Sequence, residues 1–228
     1  MPEPLIDIDV PEFTRAKLTP MVCGLFPRRE QETVLDTLSR SVVFLMPANI
    51  DSVLRQSRWL HTAWNLANLY LTSMDAEPLS EDAPQLLGLS EERTCYLSVD
   101  YFHAECRFDD FLVHEAAHIF HNCQRETIGL RKIRGREWLL EIDFAQRETF
   151  AYACEAYSRI LELGKRPADR RLLLRELEQG PMPNDDRVDA SEYVDFLREA
   201  LAARNGWRRI LERCALRRPA RRDRPGAP

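Results

Sequence analysis

The stretch Phe111-Leu-Val-His-Glu-Ala-Ala-His-Ile-Phe-His-Asn122 constrains this chain more than any other. Phe111, Leu112, Val113, Ala116, Ala117, Ile119 and Phe120 fall on nearly every side of a 3.6-residue helix, so the helix is expected to be buried. Asp109 or Asp110 can cap it and suits the positive end of its dipole, which places the helix at about 110–122. Yet His114, Glu115 and His118 stand in its middle. A carboxylate and two imidazoles left unpaired in such a helix cost several kcal/mol, so the fold must give them partners.

Residues four apart on a helix project from one face, so His114 and His118 can share one zinc ion (Zn2+) at the usual ~2.0–2.1 Å. Glu115 sits to the side, where its carboxylate can take a proton from a water in an open position. That is the mechanical content of His-Glu-x-x-His. A metal with its water satisfies all three side chains at once. His121 lies on nearly the same face two turns on and reads as a polar cap near the helix end, with a group supporting a ligand or a cleft residue as the alternatives.

Two histidines do not complete a catalytic set, and a third protein ligand is usual. The supply lies in Arg147-Glu-Thr-Phe-Ala-Tyr-Ala-Cys-Glu-Ala-Tyr157, part of a helix of about 144–163 that Asp143 with Gln146 opens and Gly164 closes. Phe150, Cys154, Tyr157 and Leu161 form one apolar stripe. Glu148, Ala151, Tyr152 and Glu155 form the nearly opposite one, which faces either solvent or a cleft.

His114-Glu115-x-x-His118 followed by Glu148-x-Phe-Ala151 resembles the gluzincin branch of the zincin metallopeptidases, over roughly residues 94–160. The resemblance implies zinc held by His114, His118 and Glu148, with Glu115 as general base. It also implies that the strand at 94–99 is the sheet edge that pairs with an extended substrate. Glu155 is the alternative third ligand. Many gluzincins carry an acid four residues after the ligand glutamate, where this chain has Tyr152. Asp143 or Glu155 is then expected to orient a ligand histidine. The longer metzincin pattern is absent, because His121 and Gln124 stand where it needs glycine and histidine. Tyr152, Tyr157, His103 and Arg147 are candidates to stabilise an oxyanion.

The rest of the chain reads as mostly helical with a small sheet, an α+β class. Helices are expected at 29–40, at 51–72 with Asp51 as cap, at 168–179, from Asp189 to about 205, and at 206–216. The long 51–72 helix would bury Leu54, Trp59, Leu60, Trp64, Leu66, Ala67, Leu69 and Tyr70. Ser41–Met46 and Thr94–Val99 read as strands, and residues 73–93 and 124–137 as loops. Trp138–Ile142 reads as either strand or loop, and Pro181–Asp186 as a hinge. The expected organisation is a zincin-like domain at 1–180, a helical extension at 181–216 packed on it, and a disordered Arg-rich tail at 217–228.

The length of 228 residues, 44% apolar and 30% charged, suits an ordinary globular protein with its own core. A net charge of -5 gives no general case for nucleic-acid binding, and the tail lacks aromatic interleaving. The acidic start is no secretory signal and no run is long enough to span a membrane, so a cytoplasmic location and no membrane partner are expected. The six cysteines are scattered, without a Cys-x-x-Cys pair, and are expected as reduced thiols. The expected function is zinc-dependent hydrolysis of a peptide or protein substrate. The alternative is a catalytically silent zinc-binding domain acting as sensor, effector or scaffold.

Overall fold

A computed structural model of the chain describes residues 8–84, 86–103, 106–133 and 135–216. The architecture is mostly helical with a small three-stranded sheet, ordered β1-β3-β2. The chain begins with α1 (Val10–Leu25) and α2 (Arg28–Ser39), then β1 (Val42–Phe44). Asp9 caps α1 by accepting from Glu12 N at 3.0 Å, and Pro11 occupies its first turn, where no N–H is needed. Next come α3 (Ile50–Gln56), α4 (Leu60–Ser73), β2 (Gly88–Glu91) and β3 (Thr94–Leu97). After them stand α5 (Phe111–Asn122), α6 (Arg147–Leu163), α7 (Pro167–Gln179), α8 (Ala190–Ala202) and α9 (Gly206–Cys214).

One apolar core runs from Leu18 on α1 to Cys214 on α9. The helix α5 lies at its centre, with the sheet against one side through β2 and β3, and α6 and α1 against others. Asp110 caps α5 by accepting from Val113 N, as the sequence suggests. The ends of α6 also agree with the sequence. Asp143 caps a short 3-10 turn at Phe144–Gln146 that leads into α6, and Gly164 follows its last turn. The helices α8 and α9 pack on α6, and α9 also reaches α1, so the segment after 181 shares the main core.

Four expectations need correction. The single helix at 51–72 is two helices, broken at Ser57-Arg58-Trp59, because Ser57 and Trp59 adopt extended backbone. Asp51 therefore caps nothing, and Trp59 and Leu60 are exposed instead of buried. Leu66 and Leu69 are buried in a second small core with Leu45, against which Leu54 and Tyr70 pack half-buried, while Trp64 and Ala67 are half-buried outside it. The loop at 73–93 contains β2, which pairs antiparallel with β3 from Gly88↔Leu97 to Glu91↔Thr94. The strand at 94–99 is consequently the central strand, flanked by β1 in parallel and β2 in antiparallel pairing, so the sheet's two edges belong to β1 and β2.

Trp138–Ile142 is a loop with Leu139, Leu140 and Ile142 buried against the core. All six cysteines are free thiols, four of them buried. Among the described residues no helix is long and apolar enough to cross a membrane. The Arg-rich tail at 217–228 lies outside the described residues.

Candidate metal centre

One helical turn of α5 brings His114 and His118 together, with their Nε2 atoms 3.1 Å apart. The first turn of α6 brings Glu148 up to them from the facing helix. Its Oε2 lies 3.4 Å from His118 Nε2 and 3.8 Å from His114 Nε2. Two atoms that each stand ~2.0–2.1 Å from one zinc ion at a tetrahedral angle are roughly 3.3 Å apart, so the three spacings suit a shared ion. These three residues form a group able to hold a metal ion.

The backs of the rings decide which nitrogens point inward. His114 Nδ1 lies 3.0 Å from Glu155 Oε2, and a carboxylate only accepts, so Nδ1 carries the hydrogen. The other oxygen of Glu155 accepts from the backbone N–H of Asp110 at 2.5 Å, which fixes the carboxylate at the start of α5. His118 Nδ1 lies 3.0 Å from His121 Nε2, and His121 Nδ1 donates to Asn122 Oδ1 at 3.1 Å. With Nδ1 of His121 donating, its Nε2 accepts, and His118 Nδ1 is the donor. Both histidines therefore turn Nε2, and not Nδ1, toward Glu148.

Three acceptors facing one another without a cation repel. Burial opposes charge on His114, but the Glu155 hydrogen bond and the charges of Glu155, Glu115 and Glu148 outweigh it and push the ring up to about 9. Burial likewise opposes charge on Glu148, yet His118, His114 and Arg187 hold its carboxyl below the usual value. His121 stays neutral, pushed down to about 3 by burial, with smaller contributions from His118 and Arg147.

The group opens on a cleft of about 570 Å3, lined among others by Gly88, Leu89 and Ser90 of β2 and by Glu115, Arg147, Tyr152, Asp185 and Arg187. Consecutive residues of β2 line it, which is how the edge of a strand, and not a face, meets a cavity. Glu115 is buried on α5 against Gly88, where an added Cβ would lie 2.7 Å from Glu115 Cγ. The strand can approach the carboxylate this closely only with a glycine there.

Glu148 and Glu155 were the alternatives for the third position, and the geometry separates them. Glu148 faces both Nε2 atoms, whereas Glu155 faces the outer nitrogen of His114. Asp143 is occupied in capping Ala145 N and does not serve as the histidine's acceptor. The stripe of α6 that holds Glu148 and Glu155 packs toward α5 and not into solvent, with Ala151 fully buried and Glu155 4% exposed. His121 is not a polar cap at the helix end. It is buried and holds His118.

Of the oxyanion candidates, Tyr152 and Arg147 line the cleft, and the Tyr152 ring stands 4.5 Å from that of His114. Tyr157 points elsewhere, packing on Trp207 with ring centroids 4.8 Å apart. The side chain of His103 lies outside the described residues.

The sequence did not mark Asp185 and Arg187. Arg187 Nη1 lies 2.9 Å from Glu148 Oε1, and Asp185 grips Arg187 through Nε at 2.9 Å and Nη2 at 2.6 Å. The hinge between α7 and α8 thus holds the outer oxygen of Glu148. Only its Asp-x-Arg charge pair, in a stretch without periodicity, could have signalled this. Comparison with protein-family models, with curated proteins and with solved structures found no match for the chain.

Proposed function

We propose that the chain is a zinc-dependent metallopeptidase of the gluzincin kind. The observation that carries this reading is the convergence of His114 Nε2, His118 Nε2 and Glu148 Oε2 beside Glu115, in a cleft bordered by a sheet edge. The donor set of two imidazoles and one carboxylate matches zinc sites that keep a position open for chemistry. When bound, the ion would polarise the scissile carbonyl and acidify a water molecule.

The protein's own groups then do the rest. Glu115 accepts the water's proton and returns it to the leaving amine. Glu155 and His121 hold the two rings in the tautomers that leave Nε2 unprotonated for the metal. Arg187 holds the outer oxygen of Glu148 so that the inner one faces the histidines. The free N–H and C=O groups of β2 offer an extended peptide an added strand, which aligns its backbone along the cleft. Tyr152, which lines the cleft, donates toward developing negative charge in this reading.

Metal content and a single substitution test the reading. Purified protein should carry about one zinc per chain, lost in His118→Ala. Glu115→Gln should keep the zinc and reduce peptide hydrolysis by about 100-fold or more. Protein that binds zinc but cleaves no peptide in a broad mixture would favour a silent zinc-binding domain instead.

A further inference from the structure

The cleft is lined by two guanidinium groups, and they differ. Arg187 is matched by Asp185 and Glu148. Arg147 forms no ion pair with any described residue, and its Nε is buried with no hydrogen-bond partner. A guanidinium offers five N–H donors in a fixed fork shaped for a carboxylate, and leaving a buried donor unused is costly. An arginine left unmatched beside a hydrolytic centre is therefore a binding group waiting for its partner.

Its surroundings hold the fork in place. The guanidinium carbon lies 5.2 Å from the ring centroid of Phe144, which is 81% exposed at the cleft rim. The short turn capped by Asp143 presents that ring, so aromatic and cation form one platform at the start of α6. The residue next to Arg147 is Glu148, so a group docked on the platform lies beside the proposed metal ligand. The acids of the cleft do not compete for Arg147. Asp185 is taken by Arg187, and Glu148 by Arg187 and the two histidines, while Glu115 lies against β2.

We propose that Arg147, stacked under Phe144, binds a carboxylate of the peptide substrate. That carboxylate is either a free C-terminus or an acidic side chain near the scissile bond. This rests on the peptidase reading for its substrate class, but it can be tested by binding alone. Three probes suffice: N-acetyl-alanyl-phenylalanine as free acid, the same peptide as amide, and N-acetyl-alanyl-aspartyl amide. Their affinities are measured by calorimetry on the zinc-loaded full chain and on the His118→Ala variant, which lacks the metal.

At least one of the two acids should bind about tenfold or more tightly than the neutral amide, and which acid does so identifies the source of the carboxylate. The preference should persist in His118→Ala, fall to about one in Arg147→Gln, and survive in part in Arg147→Lys. Arg147→Gln should take up zinc and unfold as the parent does. Equal binding of acids and amide, no binding of any probe at millimolar concentration, or a preference unchanged by Arg147→Gln would overturn the proposal. So would a preference lost in His118→Ala, because the carboxylate would then sit on the metal. Absence of turnover with the preference intact would count against the peptidase reading alone.

Discussion

At His114 the outer nitrogen meets a carboxylate that already serves a second donor, so the tautomer is fixed by a residue on another helix. Glu155→Gln tests this directly. The amide must turn its NH2 either toward the Asp110 N–H or toward His114 Nδ1, and both are donors. If it faces Nδ1, the ring must carry its proton on Nε2, where a metal would bind. Zinc affinity should fall roughly 10- to 100-fold, measured by competition with a calibrated chelator, although none of the three proposed ligands has been touched. An unchanged affinity would mean that Glu155 is only a packing residue. His121 acts on His118 in the same manner but as a neutral acceptor, so the two rings are oriented by different chemistry.

At the scale of elements, the approach of β2 to α5 sets the position of Glu115. Gly88 does not need a positive φ; its lack of a side chain is what matters, since a Cβ would fall 2.9 Å from Glu115 Oε1. Gly88→Ala should displace the carboxylate and lower turnover by about 100-fold with zinc content unchanged. Equal rates in the two proteins would show that the side chain moves aside without consequence. This contact was invisible in the sequence, because Gly-Leu-Ser-Glu has no strand signature and gains its strand from pairing with β3. The helix α5 was legible because its apolar composition and its histidine spacing are local properties. The break between α3 and α4 was not, since no glycine or proline marks Ser57-Arg58-Trp59. The helix α1 went unread because Pro11 and Pro20 punctuate it, although both are accommodated. The grouping of His114, His118 and Glu148 was legible for the reason α5 was, through short spacings on two helices. Arg187, Asp185 and the orienting role of Glu155 exist only after α6 and the following hinge have packed on α5.

Across the whole molecule, one lysine ties the first helix to both site-bearing helices. Lys17 on α1 is 2.7 Å from Asp110, the buried cap of α5, and 2.7 Å from Glu162 near the end of α6. Lys17→Met leaves the Asp110 carboxylate buried without its cation, a change that costs about 3–5 kcal/mol when one partner of a buried pair is removed. The pH dependence follows from the two carboxyls. Burial pushes Asp110 up and Lys17 pulls it back, whereas Glu162 is held below its usual value, burial opposing and Lys17 and Arg159 prevailing. A carboxyl held down in the folded state contributes stability that is complete above its unfolded value of 4.5 and is lost as pH falls through the lower folded value. Removing Lys17 abolishes much of that contribution and raises the cost of an ionised Asp110. The parent should therefore exceed the variant in urea stability by the full amount at pH 7. The gap should narrow at acid pH, as both carboxyls take up protons and a neutral Asp110 no longer needs a cation. An equal gap at both pH values would show that Lys17 stabilises the junction through its methylene stem and not through its charge.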